Sequence, residues 1–270
     1  MKILTCNTHS LMERDYETKL QQFVDVVAKE RFDIIALQEV NQTLAEERAN
    51  DRQMEGFVTA DTDRVTIDNH VMRAVSMLRE KGVPYYWTWT PIKLGFERYD
   101  EGIAILSLKK PEETTCFYIS DSEDYYDWHS RKVIGVKIDG IWYYSVHMGW
   151  WQEETESFCA QWQKFLANIP KNGKIYLMGD FNNPAHAKEE GYDLVTHSDF
   201  YDTYHLAGQR DDGITVVKVI DGWHERNAAD KMRIDFIFKN EDTPVKSSKV
   251  FFNGYNGPVI SDHFGVSIEE

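Results

Sequence analysis

The feature that most constrains the fold is a series of short, nearly continuous apolar runs, each ending at or beside a polar residue. Runs of this kind are typical of strands in a sheet that is covered on both faces. The apolar runs span residues 2–6, 33–38, 102–106, 174–178, 233–238, 250–252 and 264–268. Between them, apolar residues at spacings of three and four predict helices over 13–30, 70–81 and 153–168.

A hairpin interrupts this alternation of strands and helices. Residues 132–138 and 141–147 are rich in β-branched and aromatic residues, and they flank Asp139-Gly140. An Asp-Gly pair between two such runs predicts a type I′ turn. The sequence therefore indicates a mixed α/β class rather than a purely parallel βαβ series. Because no linker, repeat or low-complexity tract divides the chain, we expect a single domain over residues 1–270.

The charge balance restricts the substrate. The chain carries 30 Lys and Arg against 45 Asp and Glu, a net charge of −15. An acidic surface repels a polyanion over about 8 Å at physiological salt, which argues against nucleic acid as a partner. A local basic groove would still permit a nuclease. A small phosphorylated substrate is repelled less, because it carries only about two charges.

The cysteines and the hydropathy pattern bear on the compartment. Cys6, Cys116 and Cys159 are far apart, odd in number and without metal-ligand spacing, which favours free thiols in a reducing cytoplasm. The sequence has no secretion signal and no run of about 18 apolar residues. We therefore expect a cytoplasmic protein without a membrane span.

Nine polar residues stand at or near the ends of the apolar runs, where loops can aim their side chains at a common site. They are Asn7, Glu39, Glu101, His147, Asp180, Asn182, Asp235, Asp262 and His263. Taken singly, most have a structural explanation, because asparagine and acidic residues suit turns and caps. Asp235 is the exception, since a carboxylate within an apolar strand is costly to bury without a partner, and a histidine would be a suitable one.

The combination is much more specific than its parts. In chain order the motifs are Asn7, Leu-Gln-Glu39-Val, Asp-Glu101-Gly, Ser-Val-His147, Gly-Asp180-Phe-Asn182, Arg-Ile-Asp235 and Ser-Asp262-His263. This set resembles the endonuclease/exonuclease/phosphatase superfamily along essentially the whole chain. The resemblance implies a four-layer sandwich like that of deoxyribonuclease I, in which two packed mixed β-sheets are flanked by helices. It also implies hydrolysis of phosphoesters at one edge of the sheets with a divalent metal.

The resemblance assigns a metal site to three of these residues. Glu39 would be the principal ligand, and Asn7 and Asp262 would complete or support the site. Mg²⁺ is the expected ion, with Mn²⁺ as a possible substitute, because Mg²⁺ prefers one or two carboxylates together with water and phosphate oxygens. No Cys/His cluster in the sequence suggests zinc.

The resemblance assigns the catalytic chemistry to four further residues. Asp180 and Asn182 would hold the nucleophile and a phosphoryl oxygen. His263 would act as the base and would be oriented by Asp235, because a carboxylate partner fixes the histidine tautomer. The sequence leaves open whether His263 or Asp180 accepts the proton.

A second histidine separates branches of the superfamily. His147, oriented by Glu101, matches the second histidine of the deoxyribonuclease and sphingomyelinase branches. It therefore fits the abasic-site endonucleases less well. The expected cytoplasmic location argues against the secreted members of both matching branches.

Aromatic and cationic residues near these motifs suggest how a substrate is bound. Trp150 and Trp151 could stack on the apolar face of a sugar ring. Nucleic-acid bases stack as well, and the acidic charge favours the sugar. Arg98, Arg131 and Lys132 lie next to catalytic segments and are candidates for contacts with the terminal phosphoryl oxygens.

Three segments narrow the resemblance further. His147-Met-Gly-Trp-Trp, Asp211-Asp-Gly-Ile-Thr and Asp221-Gly-Trp resemble a small bacterial branch that includes maltose 6′-phosphate phosphatase. The expected function is a Mg²⁺-dependent phosphatase acting on a small phosphosugar monoester such as maltose 6′-phosphate. The alternatives are a nuclease or phosphodiesterase acting on DNA, RNA or a phospholipid head group, and a catalytically inactive binding module. The sequence leaves the oligomeric state open.

Overall fold

The protein, described by a computed structural model for residues 1–217, 220, 223 and 229–270, is built mainly from strands. The strands are β1 (Lys2–Asn7), β2 (Ile34–Thr43), β3 (Tyr86–Gly95), β4 (Tyr99–Ser107), β5 (Glu113–Tyr118), β6 (Lys132–Ile138), β7 (Ile141–His147), β8 (Ile175–Asp180), β9 (Tyr201–Asp202), β10 (Ala207–Arg210), β11 (Asp235–Lys239), β12 (Val245–Phe251) and β13 (Gly265–Glu269). The helices are α1 (Tyr16–Glu30), α2 (His70–Glu80), α3 (Phe158–Asn168), α4 (Gly191–Thr196) and α5 (Thr203–Leu206), with a 3₁₀ turn at Ser10–Met12.

The strands form two mixed sheets. The first has the order β10-β12-β13-β1-β2-β4-β3, and the second has the order β5-β6-β7-β8-β11-β9. Near the centre of each sheet two strands run parallel, β1 with β2 and β7 with β8, while most other neighbours are antiparallel. The carboxyl ends of parallel neighbours lie at the same edge of a sheet. The loops that follow β1 and β2, and those that follow β7 and β8, therefore leave each sheet together.

The two sheets pack face to face through an apolar layer to which both contribute. Ile3 and Ile105 of the first sheet belong to the same buried cluster as Ile134, Met178 and Ile237 of the second. Side chains alternate between the two faces of a strand, so neighbouring residues serve different layers. This is why the central strands read as continuous apolar runs. A core shared by both sheets is what a single domain over residues 1–270 would have. The single domain itself remains a prediction.

Helices cover the outer face of each sheet. Leu20 and Phe23 of α1 and Val71 of α2 pack in a cluster with the first sheet, while Trp162 and Phe165 of α3 pack in a cluster with the second. The order is thus helices, sheet, sheet, helices, which confirms the predicted four-layer sandwich. Among the described helices, none is long and apolar enough to cross a membrane.

Some elements differ from the sequence prediction. Helix α3 begins at Phe158 instead of residue 153, because the side chain of Ser157 caps it by accepting a hydrogen bond from Ala160 N. Glu101 lies inside β4 and not ahead of it. The aromatic strand β3, which runs from Tyr86, was not predicted as a strand.

The predicted hairpin turn between β6 and β7 is confirmed. Asp139 and Gly140 have φ values of 51° and 76°, and a type I′ turn requires a positive φ at both positions. A Cβ added at Gly140 would meet nothing within 4 Å. Any cost of substitution there is therefore conformational and not steric.

Gly140→Ala should lower the free energy of unfolding by about 1 kcal/mol, because alanine disfavours the left-handed conformation. Gly140→Asn should cost less, since asparagine tolerates positive φ. Urea denaturation measures both. Gly208→Ala, in strand β10 where φ is not in the left-handed region, is the matched control and should not destabilise. Equal stability of Gly140→Ala and the parent protein would contradict the turn assignment.

Candidate active site

The predicted residues of the second sheet meet at one edge of the sandwich through strand register. His147, the last residue of β7, lies opposite Asp180, the last residue of β8. On the other side of β8, Asp180 lies opposite Asp235, the first residue of β11. Three predicted site residues from distant parts of the sequence therefore lie on three adjacent strands at the same height.

Glu39 reaches the same edge from the first sheet through a β-bulge. The pairing of β2 with β4 shifts register between Leu37 and Val40, so β2 carries one extra residue at this point. Glu39 has a φ of 51°, and its carbonyl accepts a hydrogen bond from Ser10 Oγ at 2.6 Å. The bulge breaks the alternation of side chains and turns the Glu39 carboxylate toward the site.

Asn7 connects the two sheets at the site. Its Nδ2 donates to Glu39 Oε1 at 2.8 Å and to Asp180 Oδ2 at 3.2 Å. Asn7 is fully buried at the end of β1, so both amide hydrogens are used on carboxylates from different sheets. Its position fixes the spacing between those carboxylates.

The Gly-Asp-Phe-Asn motif makes a sharp turn at the end of β8. A Cβ at Gly179 would lie 1.9 Å from Val146 O, so only glycine lets β8 pass this close to β7. Asn182 has a φ of 50°, and its backbone N–H donates to Asp180 Oδ1 at 2.8 Å. Asn182 Nδ2 donates to Met148 O at 3.0 Å, which holds its side chain beside the end of β7.

Asp180 is central to the cluster. Its Oδ2 lies 3.6 Å from His147 Nε2 and 3.7 Å from His263 Nε2. Burial, with a further contribution from Asp235, raises the pKa of Asp180 to about 7. A carboxyl group that ionises near neutral pH is suited to accept or hold a proton during hydrolysis.

His263 and Asp235 form a buried pair. His263 Nδ1 lies 2.9 Å from Asp235 Oδ2, and both side chains are almost completely buried. Burial lowers the pKa of His263, but the charges of Asp235 and Asp180 outweigh it and raise that pKa well above its usual range. The structure thus brings together the two residues that the sequence pairs; their catalytic roles remain predictions.

Glu101, the expected partner of His147, forms an ion pair with a lysine instead. Lys93 of β3 is the direct cross-strand neighbour of Glu101 in β4, and its Nζ lies 3.3 Å from Glu101 Oε1. Among the described residues no hydrogen bond or ion pair joins Glu101 to His147, which belongs to the other sheet. Burial, then Arg131 and Lys93, lower the pKa of His147 well below its usual range.

The donor set fits a divalent cation. Burial, followed by the charges of Glu101 and Asp262, raises the pKa of Glu39 from 4.5 to about 7. Carboxylates held close together in a buried site repel one another, and a bound cation would relieve that repulsion. Asp262 Oδ1 also lies 4.0 Å from His9 Nδ1, and the ligating atoms of His9, Glu13 and Asp262 lie within 4.8 Å of one another.

A tryptophan-lined cavity opens beside Asn182. Its volume is about 280 Å³, and Trp150, Trp151 and Trp223 line it. Trp223 Nε1 donates to Asn182 Oδ1 at 3.2 Å, which connects the cavity wall to the Gly-Asp-Phe-Asn motif. Trp150 and Trp151 are half-buried instead of exposed, since each packs against a hydrophobic cluster. Trp223 is not among the predicted site residues, and Asp221-Gly of the same segment lies outside the described residues.

Of the three candidate cations, Arg131 alone contacts another predicted site residue within the described chain. Its guanidinium carbon lies 5.7 Å from the ring centroid of Trp150. Arg98 is exposed in the β3–β4 turn and packs on Tyr99. The ammonium group of Lys132 forms an ion pair with the carboxylate of Asp61. The structure therefore gives no contact that supports Arg98 or Lys132 as a phosphate ligand.

Two packed mixed sheets with a buried site of carboxylates and histidines at one edge define the class of deoxyribonuclease I-like hydrolases. The sequence matches the family model described as "Endonuclease/Exonuclease/phosphatase family" over residues 4–263. The chain belongs to this family, whose members are hydrolases, either phosphatases or nucleases, and generally depend on a divalent metal.

Solved structures show the same fold. An endonuclease/exonuclease/phosphatase family protein from Leptotrichia buccalis C-1013-b is 32% identical, with a TM-score of 0.87 over 100% of this chain and 98% of that one. A mannosyl-6-phosphatase from Bacteroides thetaiotaomicron VPI-5482 is 17% identical, with a TM-score of 0.62 over 100% and 98%. A 3′-5′ exonuclease from Neisseria meningitidis is 19% identical, with a TM-score of 0.62 over 100% and 99%. No curated protein matches the sequence significantly.

The geometry around Glu39 predicts how this residue contributes to metal binding. Without metal, Glu39→Gln should leave the protein at least as stable, because it removes a partly buried carboxylate that Glu101 and Asp262 repel. With Mg²⁺ at one hundred times its Kd, the parent protein should gain about 2.7 kcal/mol and the variant much less. Urea denaturation with and without Mg²⁺ measures both effects.

Glu156→Gln is the matched control for this measurement. Glu156 is also a buried carboxylate, but it accepts hydrogen bonds from the backbone of Asp121 and Ser122. This variant should keep the full response to Mg²⁺ whatever its own stability. An unchanged Mg²⁺ response in Glu39→Gln would remove Glu39 from the metal site.

Proposed function

We propose that the protein is a divalent-metal-dependent phosphatase that hydrolyses a small phosphosugar monoester. The observation that carries this proposal is the tryptophan-lined cavity that opens beside Asn182 at the candidate active site. An indole ring offers a flat apolar surface, and the C–H face of a sugar ring packs well against such a surface. The cavity lies next to the residues expected to hold the reacting phosphoryl group.

The size of the cavity supports a small substrate. At about 280 Å³ it lies near the lower end of the roughly 300–1,000 Å³ typical of ligand pockets. Glu190 and His186 also line it and can exchange hydrogen bonds with sugar hydroxyl groups. The cavity therefore combines aromatic surface with polar groups, both of which a sugar ring can use.

The expected division of labour follows the donor chemistry. Glu39, Asp262 and Asn7 would hold the metal, which when bound supplies positive charge that stabilises the phosphoryl oxygens. Asp235 holds His263 through Nδ1, which leaves His263 Nε2 available on the side that faces Asp180. Asp180 can accept the proton of the attacking water when ionised, and His263 can do so only after losing its own proton, because its pKa is raised.

A nuclease is the strongest competing function, because a 3′-5′ exonuclease from Neisseria meningitidis shares the fold. The net charge of −15 opposes it, since binding of nucleic acid depends on neutralising many phosphates with Lys and Arg. A phosphodiesterase acting on a lipid head group remains a further alternative. A binding module without catalysis is opposed by the cluster of buried, mutually repelling carboxylates, which lowers stability and serves no evident packing purpose.

A phosphate-release screen in Mg²⁺ tests the proposal directly. Hexose 6-phosphates and disaccharide phosphates should release phosphate, with maltose 6′-phosphate favoured, while nucleotides, plasmid DNA and abasic DNA should react poorly. Excess chelator should abolish the reaction, and Mg²⁺ or Mn²⁺ should restore it. Efficient cleavage of DNA without phosphate release from any phosphosugar would overturn the phosphatase assignment and leave the fold and the metal site.

The same assay tests the cavity. Trp150→Ala should raise KM for the best phosphosugar more than it lowers kcat, because stacking binds the ground state and the transition state alike. Trp142→Ala is the control, since Trp142 stacks on Tyr144 in the β6–β7 hairpin and does not line the cavity. Equal effects of the two substitutions on KM would argue against sugar binding at the cavity.

A further inference from the structure

Two cationic side chains converge on a single backbone carbonyl at the edge of the site. Lys93 Nζ and Arg131 Nη1 each donate a hydrogen bond to Trp128 O at 2.9 Å. The two nitrogens are therefore no more than twice 2.9 Å apart. Both side chains are buried, with 8% of Lys93 and 2% of Arg131 exposed. Like charges held this close in a buried place repel each other strongly.

The charge of this pair is only partly balanced by the protein. Among the described residues Lys93 has one ion-pair partner, Glu101, at 3.3 Å. Within the described chain no carboxylate lies within 4.0 Å of the Arg131 guanidinium, and Arg131 Nε has no hydrogen-bond partner. Carboxylates such as Glu101, Asp180 and Glu39 act on Arg131 only from longer distances. Its guanidinium therefore has no direct counterion among the described residues, and an anion from outside the chain would supply one.

The pair is close both to the carboxylates of the predicted metal site and to the tryptophan cavity. Arg131 lies over the ring of Trp150, which lines that cavity. The charges of Lys93 and Arg131 both act on His147, and the charge of Glu39 acts on both cations. An anion at this position would therefore be near the predicted metal ligands while a group attached to it entered the cavity.

We propose that Lys93, together with Arg131, binds the terminal oxygens of a phosphoryl dianion and makes the site selective for phosphomonoesters over phosphodiesters. A monoester has three non-bridging oxygens and carries nearly two charges above pH ~6, whereas a diester has two such oxygens and one charge. Lys93 supplies the contact that only the monoester can use fully, and Glu101 positions Lys93 for it. This inference rests on the proposed function, since it assumes that monoesters are substrates.

The test compares a monoester with a diester that has the same leaving group. In Mg²⁺, kcat/KM is measured for p-nitrophenyl phosphate and for bis(p-nitrophenyl) phosphate in the parent protein and in Lys93→Met. The variant should lose about 10- to 100-fold on the monoester, the size expected for one hydrogen bond to a charged group, and far less on the diester. The double variant Lys93→Met with Glu101→Gln, which avoids leaving Glu101 unpaired, should show the same selective loss.

Lys239→Met is the matched control. Lys239 is also a buried lysine paired with a glutamate, Glu270 at 2.7 Å, but it lies at the far end of β11. It should lower stability without changing the ratio of monoester to diester activity. If Lys93→Met and its double variant lower both activities equally, Lys93 has a structural role and the inference is overturned while the proposed function stands. A parent protein that cleaves the diester but not the monoester overturns both.

Binding of inorganic phosphate provides a readout that needs no turnover. Isothermal titration calorimetry in Mg²⁺ should show phosphate binding to the parent protein and to Lys239→Met, and at least tenfold weaker binding to Lys93→Met. Equal phosphate affinity in Lys93→Met and Lys239→Met would overturn the inference even if no ester were hydrolysed.

Discussion

The site depends on one buried amide, that of Asn7, which donates to Glu39 in the first sheet and to Asp180 in the second. An amide can satisfy two carboxylates, but it carries no charge and cannot neutralise them. The face-to-face packing of the sheets thus brings negative groups together and holds them at fixed spacing. The other charged groups of the site either add to this negative charge or offset it.

The distribution of charge indicates where a metal ion and a phosphoryl group would each bind. Among the described residues, the carboxylates of the site are offset in part by cationic groups: Glu39, Glu101, Asp180, Asp235 and Asp262 against His9, Lys93, Arg131 and His263. The deficit lies on the side of Glu39, where a divalent cation fits. Lys93 and Arg131 lie together on the carbonyl of Trp128, where the proposed anion would bind. A metal-bound phosphoryl group would span both sides, and the tryptophan cavity would take the group attached to it.

The sequence could predict those features of the fold and the site that depend on local patterns or on short motifs. Strand ends aim Asn7, His147 and Asp180 at one edge because polar residues follow apolar runs, and a buried carboxylate at 235 called for a partner such as His263. The ion pair of Glu101 could not be predicted, since it depends on the register of β3 with β4, and β3 itself was not predicted. The carbonyl of Trp128, which accepts hydrogen bonds from Lys93 and Arg131, lies in a loop. No sequence pattern predicts its position.

The carboxylate cluster of the site is proposed to hold a divalent cation beside Glu39. Crystals grown with Mn²⁺ and measured at the manganese absorption edge test it most directly, because anomalous scattering locates the ion without assumptions about activity. The account predicts a single strong peak within about 2.5 Å of a Glu39 carboxylate oxygen and close to Asp262, allowing for a metal–oxygen distance of about 2.1 Å. A peak located only elsewhere, or none at saturating Mn²⁺, would contradict it.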